Sequence, residues 1–354
     1  MQLTRETRML LEDLEERICP ETEDDFIRQW RVFLAGEFSG EIFCPVRNRM
    51  TSPGYQQEPV LINDALEDLD LMLRHQLLGV SSALSSPSTN ICIRANYGTG
   101  ILSSLFGAEL YIMPREMETL PTTRSIGDTE KIRALVEAGM PDLRTGLGAR
   151  VFDFGEFCQE VLRPYPKVSR YVRVYHPDTQ GPLDIAELLW GEEMFYAMYD
   201  EPELVHGLVS LIMETYVAFM EKWFRLYPPG EMNPHWGQLW HRGHILLRDD
   251  SAMNLSPDLY REYAAPYDGT LLKKYGGVVH FCGRGDHYMT DLTSLDGLYG
   301  INMSQPEYND METIYRCTVD RGIPLLGFSK ERAEQDVSRP GGFHHLISSI
   351  QQWV

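Results

Sequence analysis

The sequence predicts a mixed α/β fold, a (β/α)8 TIM barrel approached through a helical N-terminal extension. Three observations predict it. From residue 90 onward, short β-prone runs alternate with helical periodicity, the pattern of a parallel sheet with crossover helices. These runs end in polar or glycine-rich tips, at 91–100, 171–182, 244–251, 277–287, 297–307 and 322–328. Across 354 residues no repeat or composition shift marks a second domain, and at that length a closed barrel is favoured. A doubly wound open sheet is the alternative, but Gly98-Thr99-Gly100 is a poor substitute for a G-x-G-x-x-G after the first strand.

Residues 3–17, 24–34 and 62–78 carry amphipathic periodicity, with a Pro/Gly-containing loop at 47–58 and a Ser/Pro-rich connector at 81–90. Residues 1–85 therefore read as a helical lead-in and residues 86–354 as the barrel. Later helices are expected at about 203–226, 258–274 and 310–321. Ser256 followed by Pro257 is an N-cap with proline at the first helical position.

Charge narrows the function classes. The chain has 32 basic and 52 acidic residues, a net charge of −20, which argues against nucleic acid or an anionic membrane as partner. No unbroken apolar run approaches the roughly 20 residues of a bilayer span, and the charged N-terminus does not read as a signal peptide. The expected compartment is the cytoplasm. The six scattered cysteines are expected to be free thiols.

In both parallel architectures, chemistry sits at the carboxyl ends of strands. His280-Phe281-Cys282-Gly283 is the strongest local signal: residues i and i+2 of a strand share a face, so an imidazole and a thiol point together and suit a zinc ion. The plainer alternative is a small core cysteine beside a hydrogen-bonded histidine. Asp249-Asp250 follows Arg248 at another tip and has no structural need to be there; one could act as a base. Asp178 and Gln180 would face the mouth, although His176 to Pro182 also reads as a turn. Asn302, Gln305 and Glu307 repeat the pattern, and Tyr97 adds a phenol. Trp236, Trp240, His241 and His244 read as aromatic packing before the 244–251 strand, with a pocket wall as the alternative.

Taken in order, these segments resemble the uroporphyrinogen decarboxylase superfamily over roughly residues 90–330. The resemblance rests on Asp178-x-Gln180-Gly181-Pro182, Trp190-Gly191, the Asp249-Asp250 tip, Leu255-Ser256-Pro257-x-x-Tyr260, and Gly276-Gly277-x-x-His280-x-Cys282-Gly283. It implies a (β/α)8 barrel. The arginine-bearing R-Q-A-G-R segment of true decarboxylases is absent. The chain is closer to the corrinoid-linked methyltransferases, whose H-x-C plus a later cysteine holds zinc that activates a thiol. His280 and Cys282 fall on that H-x-C, but no cysteine after Cys317 can complete it. Glu307 is the expected third ligand, with Asp250 and His287 behind it. The resemblance thus implies a methyltransferase with zinc on His280 and Cys282; from their strand-tip positions, Asp178, Asp250 and His280 are the candidate catalytic residues and Tyr97, Gln180, Arg248, Asn302 and Gln305 the candidate substrate contacts. Implied partners are a small molecule, a corrinoid protein and a second copy of the chain. The rivals are a metal-free decarboxylase or lyase, with Asp250 or Asp178 transferring protons and Arg94, Arg248 and Arg284 gripping carboxylates, and a non-catalytic small-molecule binding protein.

Overall fold

The computed structural model describes residues 3–336 and 344–349; the rest of the expected 86–354 domain, and residues 1–2, lie outside them. Four helices come first: α1 (Arg5–Arg17), α2 (Pro20–Leu34), α3 (Ile62–Ala65) and α4 (Leu69–Ala83). Thr4 and Asp68 cap α1 and α4 by accepting first-turn N–H groups. The Thr4 hydroxyl also donates to Asp70 at 2.6 Å, tying the two helices together. Leu10, Leu14, Leu73 and Leu77 of these helices belong to the same core as the later strands.

Strand β1 (Cys92–Ile93) is followed by α5 (Ile101–Leu105), the antiparallel pair β2 (Glu109–Tyr111) and β3 (Thr122–Arg124), then α6 (Thr129–Ala138), α7 (Gly146–Leu162) and α8 (Pro166–Tyr171). After β4 (Arg173–Val174) come α9 (Pro182–Trp190), α10 (Glu193–Asp200) and α11 (Pro202–Leu226). By length and composition α11 could cross a bilayer, but Leu208, Ile212, Tyr216 and Phe219 pack it into the core. A hairpin of β5 (Met232–His235) and β6 (Leu239–Arg242) precedes β7 (Ile245–Arg248), α12 (Pro257–Tyr263), α13 (Ala265–Tyr275) and β8 (Gly277–Phe281). The described chain ends through α14 (Met289–Leu292), β9 (Leu298–Met303), α15 (Met311–Cys317) and α16 (Lys330–Gln335). Ser256 accepts the Leu259 N–H at 3.2 Å, so α12 begins with the cap the sequence spells.

The fold is mixed α/β, and its parallel pairings run in series. β1 pairs with β4, β7 with β8, and β8 with β9. Single parallel bridges continue from Ile301 to Leu325, from Leu325 to Ile347, and from Ser348 back to Phe43. The expected closed eight-stranded ladder is not present among the described residues, because two junctions are made differently. Between β4 and β7, the Leu246 N–H donates to the His176 Nε2 at 3.0 Å, so a side chain stands where a strand carbonyl would. Beside β1, the hairpin intervenes: Asn90 donates its N–H to the Gly237 carbonyl at 2.7 Å and accepts from the Trp240 indole at 2.8 Å. Leu239 and Trp240 join Phe43, Leu246, Val278 and Leu326 in a second small core, capped by Phe26, Trp30 and Phe33 of α2.

The hairpin was not expected. Residues 236–238 join its strands, and Trp236 and Gly237 there are both at positive φ (50° and 74°), as in the primed turns whose twist matches that of the strands. Asparagine and glycine suit such positions; a bulky tryptophan there is unusual.

Candidate active site

The tips of β4, β7, β8 and β9 converge. Gly181 donates its N–H to the Arg248 carbonyl at 2.7 Å, and Asp249 to the His280 carbonyl at 2.9 Å, drawing three tips together. A Cβ at Gly181 would lie 2.2 Å from the Arg248 oxygen, so only glycine allows the first approach.

Alternation then sorts the side chains. Leu247, Val279 and Phe281 enter the main core, whereas Arg248, His280 and Asn302 line a cavity of about 950 Å³ with Arg94, Asp178 and Trp236. An adjoining cavity of about 390 Å³ is lined by Gln180, Asp184, Asp250 and Ser251, and Thr99 borders both.

Asp250, His280 and Cys282 offer three ligand atoms within 4.8 Å of one another. The His280 Nε2 is 3.4 Å from the Cys282 Sγ and 3.7 Å from the Asp250 Oδ1. The His280 Nδ1–H donates to the Asn302 Oδ1 at 2.5 Å, while the Asn302 Nδ2 donates to the Leu326 carbonyl at 2.6 Å. The second bond fixes the amide orientation, the amide fixes the tautomer, and Nε2 keeps its lone pair toward the cysteine and aspartate. Asp250 is held in turn. Its Oδ1 accepts the Cys282 N–H at 2.6 Å, and Asp184 accepts the N–H groups of Asp250 and Ser251 at 3.1 and 2.7 Å. Burial lowers the His280 pKa, against the pull of Asp250, and raises that of the Cys282 thiol.

The two aspartates of the β7 tip face opposite ways. Asp249 turns into the helix layer beside Asp268, with which its carboxyl shares a hydrogen bond, and no other donor among the described residues meets it. Burial first, and then Asp268, push the Asp249 carboxyl well up, and burial raises Asp268 to about 7. Neither aspartate of the tip is the ion-pair partner of Arg248. That partner is Asp178, at 2.6 Å, which also takes Arg94 at 3.0 Å and a 3.2 Å bond from the Gln180 amide.

Several expected residues lie elsewhere. Tyr97 is buried against Phe154 of α7 instead of lining the mouth, because its strand tip turns it into the helix layer. Glu307 is exposed on a short 3-10 turn and outside the three-residue cluster; Asp250 occupies the place expected of it. Gln305 braces a turn by accepting the Gly283 N–H at 2.6 Å. His287 faces the Leu255 carbonyl at 2.9 Å, and Arg284 pairs with Asp286 at 2.7 Å. Trp236, expected as packing, reaches the mouth: its ring lies 4.6 Å from the Arg248 guanidinium and 5.0 Å from the His280 ring, edge-on. Ser304, 3.5 Å from the Cys282 sulfur, was legible as the i+2 neighbour of Asn302. Asp184 left no such signal, since its role exists only once α9 packs under the β7 tip.

The chain matches no known protein-family profile and no curated protein. Among solved structures, a methyltransferase from Methanosarcina mazei superposes with a TM-score of 0.58 over 84% of this chain and 80% of that chain, at 15% sequence identity. That likeness shows a shared fold.

Proposed function

We propose that this chain is a zinc-dependent methyltransferase of the uroporphyrinogen decarboxylase superfamily, built on a (β/α)8 barrel whose ring is completed by the hairpin and the His176 bridge. The observation that carries the reading is the convergence of Asp250, His280 and Cys282 from two strand tips beside the large cavity. A tetrahedral zinc with bonds of about 2.3 Å to sulfur and 2.0–2.1 Å to nitrogen sets those two atoms about 3.5 Å apart; here they are 3.4 Å apart. One nitrogen, one sulfur and one oxygen ligand leave a position for substrate, as catalytic zinc sites do. Such a metal would lower the pKa of a bound thiol, making it a nucleophile toward a methyl group. The likeness in fold to a methyltransferase supports the same reading.

The chain's own residues orient and polarise. Asn302 fixes the His280 ring. Arg94 and Arg248 present positive charge to the cavity, and Lys330 lies on its lining. Asp178, with both oxygens held by guanidiniums, positions those arginines and is not free to act as a base. The methyl donor would be a methylated corrinoid on a partner protein. The expected homodimer and cytoplasmic location belong to this proposal.

Elemental analysis of the purified protein tests it, together with transfer from methylcobalamin to a small thiol. The expected result is about one zinc per chain, lost with Cys282→Ser and His280→Ala along with turnover. Metal-free protein whose turnover survives both substitutions would overturn it. The rival metal-free decarboxylase draws on the same cations at the cavity, and it predicts turnover without metal through Asp250 or His280.

A further inference from the structure

A second cavity, of about 350 Å³, lies at the amino ends of the strands, opposite the Asp250, His280 and Cys282 cluster. Its walls come from the end of α7, the end of α11, the base of the β5–β6 hairpin and the starts of β4 and β7. Leu162, Trp223, Phe224 and Met232 give it an apolar body. No carboxylate among the described residues lines it, in a chain of net charge −20.

Two exposed arginines, Arg163 and Arg173, line the same cavity. Neither is in an ion pair among the described residues, whereas Arg144, Arg150 and Arg170 each have a carboxylate partner. Deeper in, His241 is fully buried, and its Nδ1–H donates to the Arg242 carbonyl at 3.0 Å. Its Nε2 is then an acceptor, and no donor among the described residues meets it. Burial lowers the His241 pKa to about 4, so at neutral pH the cavity's positive charge comes from the arginines alone.

An apolar body, two guanidiniums in its lining that are in no ion pair among the described residues, and a buried acceptor without a donor are complementary to one kind of molecule. We propose that this cavity binds a small aromatic carboxylic acid carrying a hydroxyl or amino donor, independently of the chemistry at the other end of the strands. The carboxylate pairs with Arg163 and Arg173, and the ring lies among Trp223, Phe224 and Met232.

Titration calorimetry of the full chain with 4-hydroxybenzoate tests this, with 4-hydroxybenzyl alcohol as the neutral counterpart. Saturable binding of the acid, much weaker binding of the alcohol, and a loss of about tenfold in affinity with Arg173→Glu are expected. Arg163→Glu, at an exposed helix end, should act in the same direction and guards against a folding defect in the first variant. Lys330→Glu, at the large cavity, should leave binding unchanged. No saturable binding, equal binding of the alcohol, or loss with Lys330→Glu but not with Arg173→Glu would each overturn the proposal.

Discussion

Two of the buried ionic groups in this molecule are built to different ends. In the N-terminal helices, Arg47 meets Glu23 through two bonds of 2.7 and 3.0 Å and donates further to the carbonyls of Ala83, Ser86 and Thr89. Every guanidinium nitrogen is engaged, and the two side chains are 0% and 3% exposed. At the mouth, Arg94 and Arg248 share the single carboxylate of Asp178. Arg94 spends Nε on Asn96 and Nη1 on Asp178, and Nη2 meets no acceptor among the described residues. The first group is saturated and pins a loop to two helices. The second keeps donors and a positive charge in reserve beside a cavity. Saturation marks structure; spare capacity marks a place for a ligand.

Stability and activity should therefore part company between the two. Glu23→Ala leaves a buried guanidinium unpaired and should cost about 3–5 kcal/mol in denaturant unfolding, with the metal content that the proposed function predicts unchanged. Asp178→Ala should cost less stability, since its arginines border a cavity of about 950 Å³, while reducing the proposed methyl transfer on the order of 100-fold by letting two guanidiniums swing apart. Comparable unfolding energies for the two variants, with activity tracking only the folded fraction, would erase the distinction. On the proposed function, Asn302→Ala should weaken zinc affinity by roughly 10–100-fold, the usual range for removing a ligand's hydrogen-bond partner, read by competition with a chelator. Trp236→Asn should shift stability by no more than about 1 kcal/mol, because relief at the positive φ offsets a lost cation–π contact of about 0.5–1 kcal/mol; the effect should show in KM. Glu307→Gln should change neither metal content nor rate.

The sequence carried the local half of this structure. Strand tips, the Ser256-Pro257 helix start, and the shared face of His280 and Cys282 follow from period and capping, which need only neighbours along the chain. It did not carry the hairpin, because Pro234 argues against a strand and Trp236 is a poor signature for its turn. Nor could it separate Asp249 from Asp250: which of two adjacent carboxylates faces the mouth depends on the strand's register against β8. Tyr97 and Glu307 sit near strand ends, as the site residues do, but position along a chain does not say which way an irregular tip turns its side chain.

The imidazole that joins β4 to β7 makes that junction sensitive to acid. The Leu246 N–H needs a neutral His176 as acceptor, and burial lowers the His176 pKa to about 4. His241 is likewise lowered to about 4, and His235 well below its usual value, both by burial. In the unfolded chain each would take a proton near pH 6.5, so between about 6.5 and 4 the unfolded state binds more protons than the folded one. The stability these histidines contribute is whole above that range and is lost as the pH falls through it. Protonated His176 would have no lone pair for Leu246, so that amide should be among the first strand amides to lose hydrogen-exchange protection on acidification, ahead of Val279 in the fully paired β8.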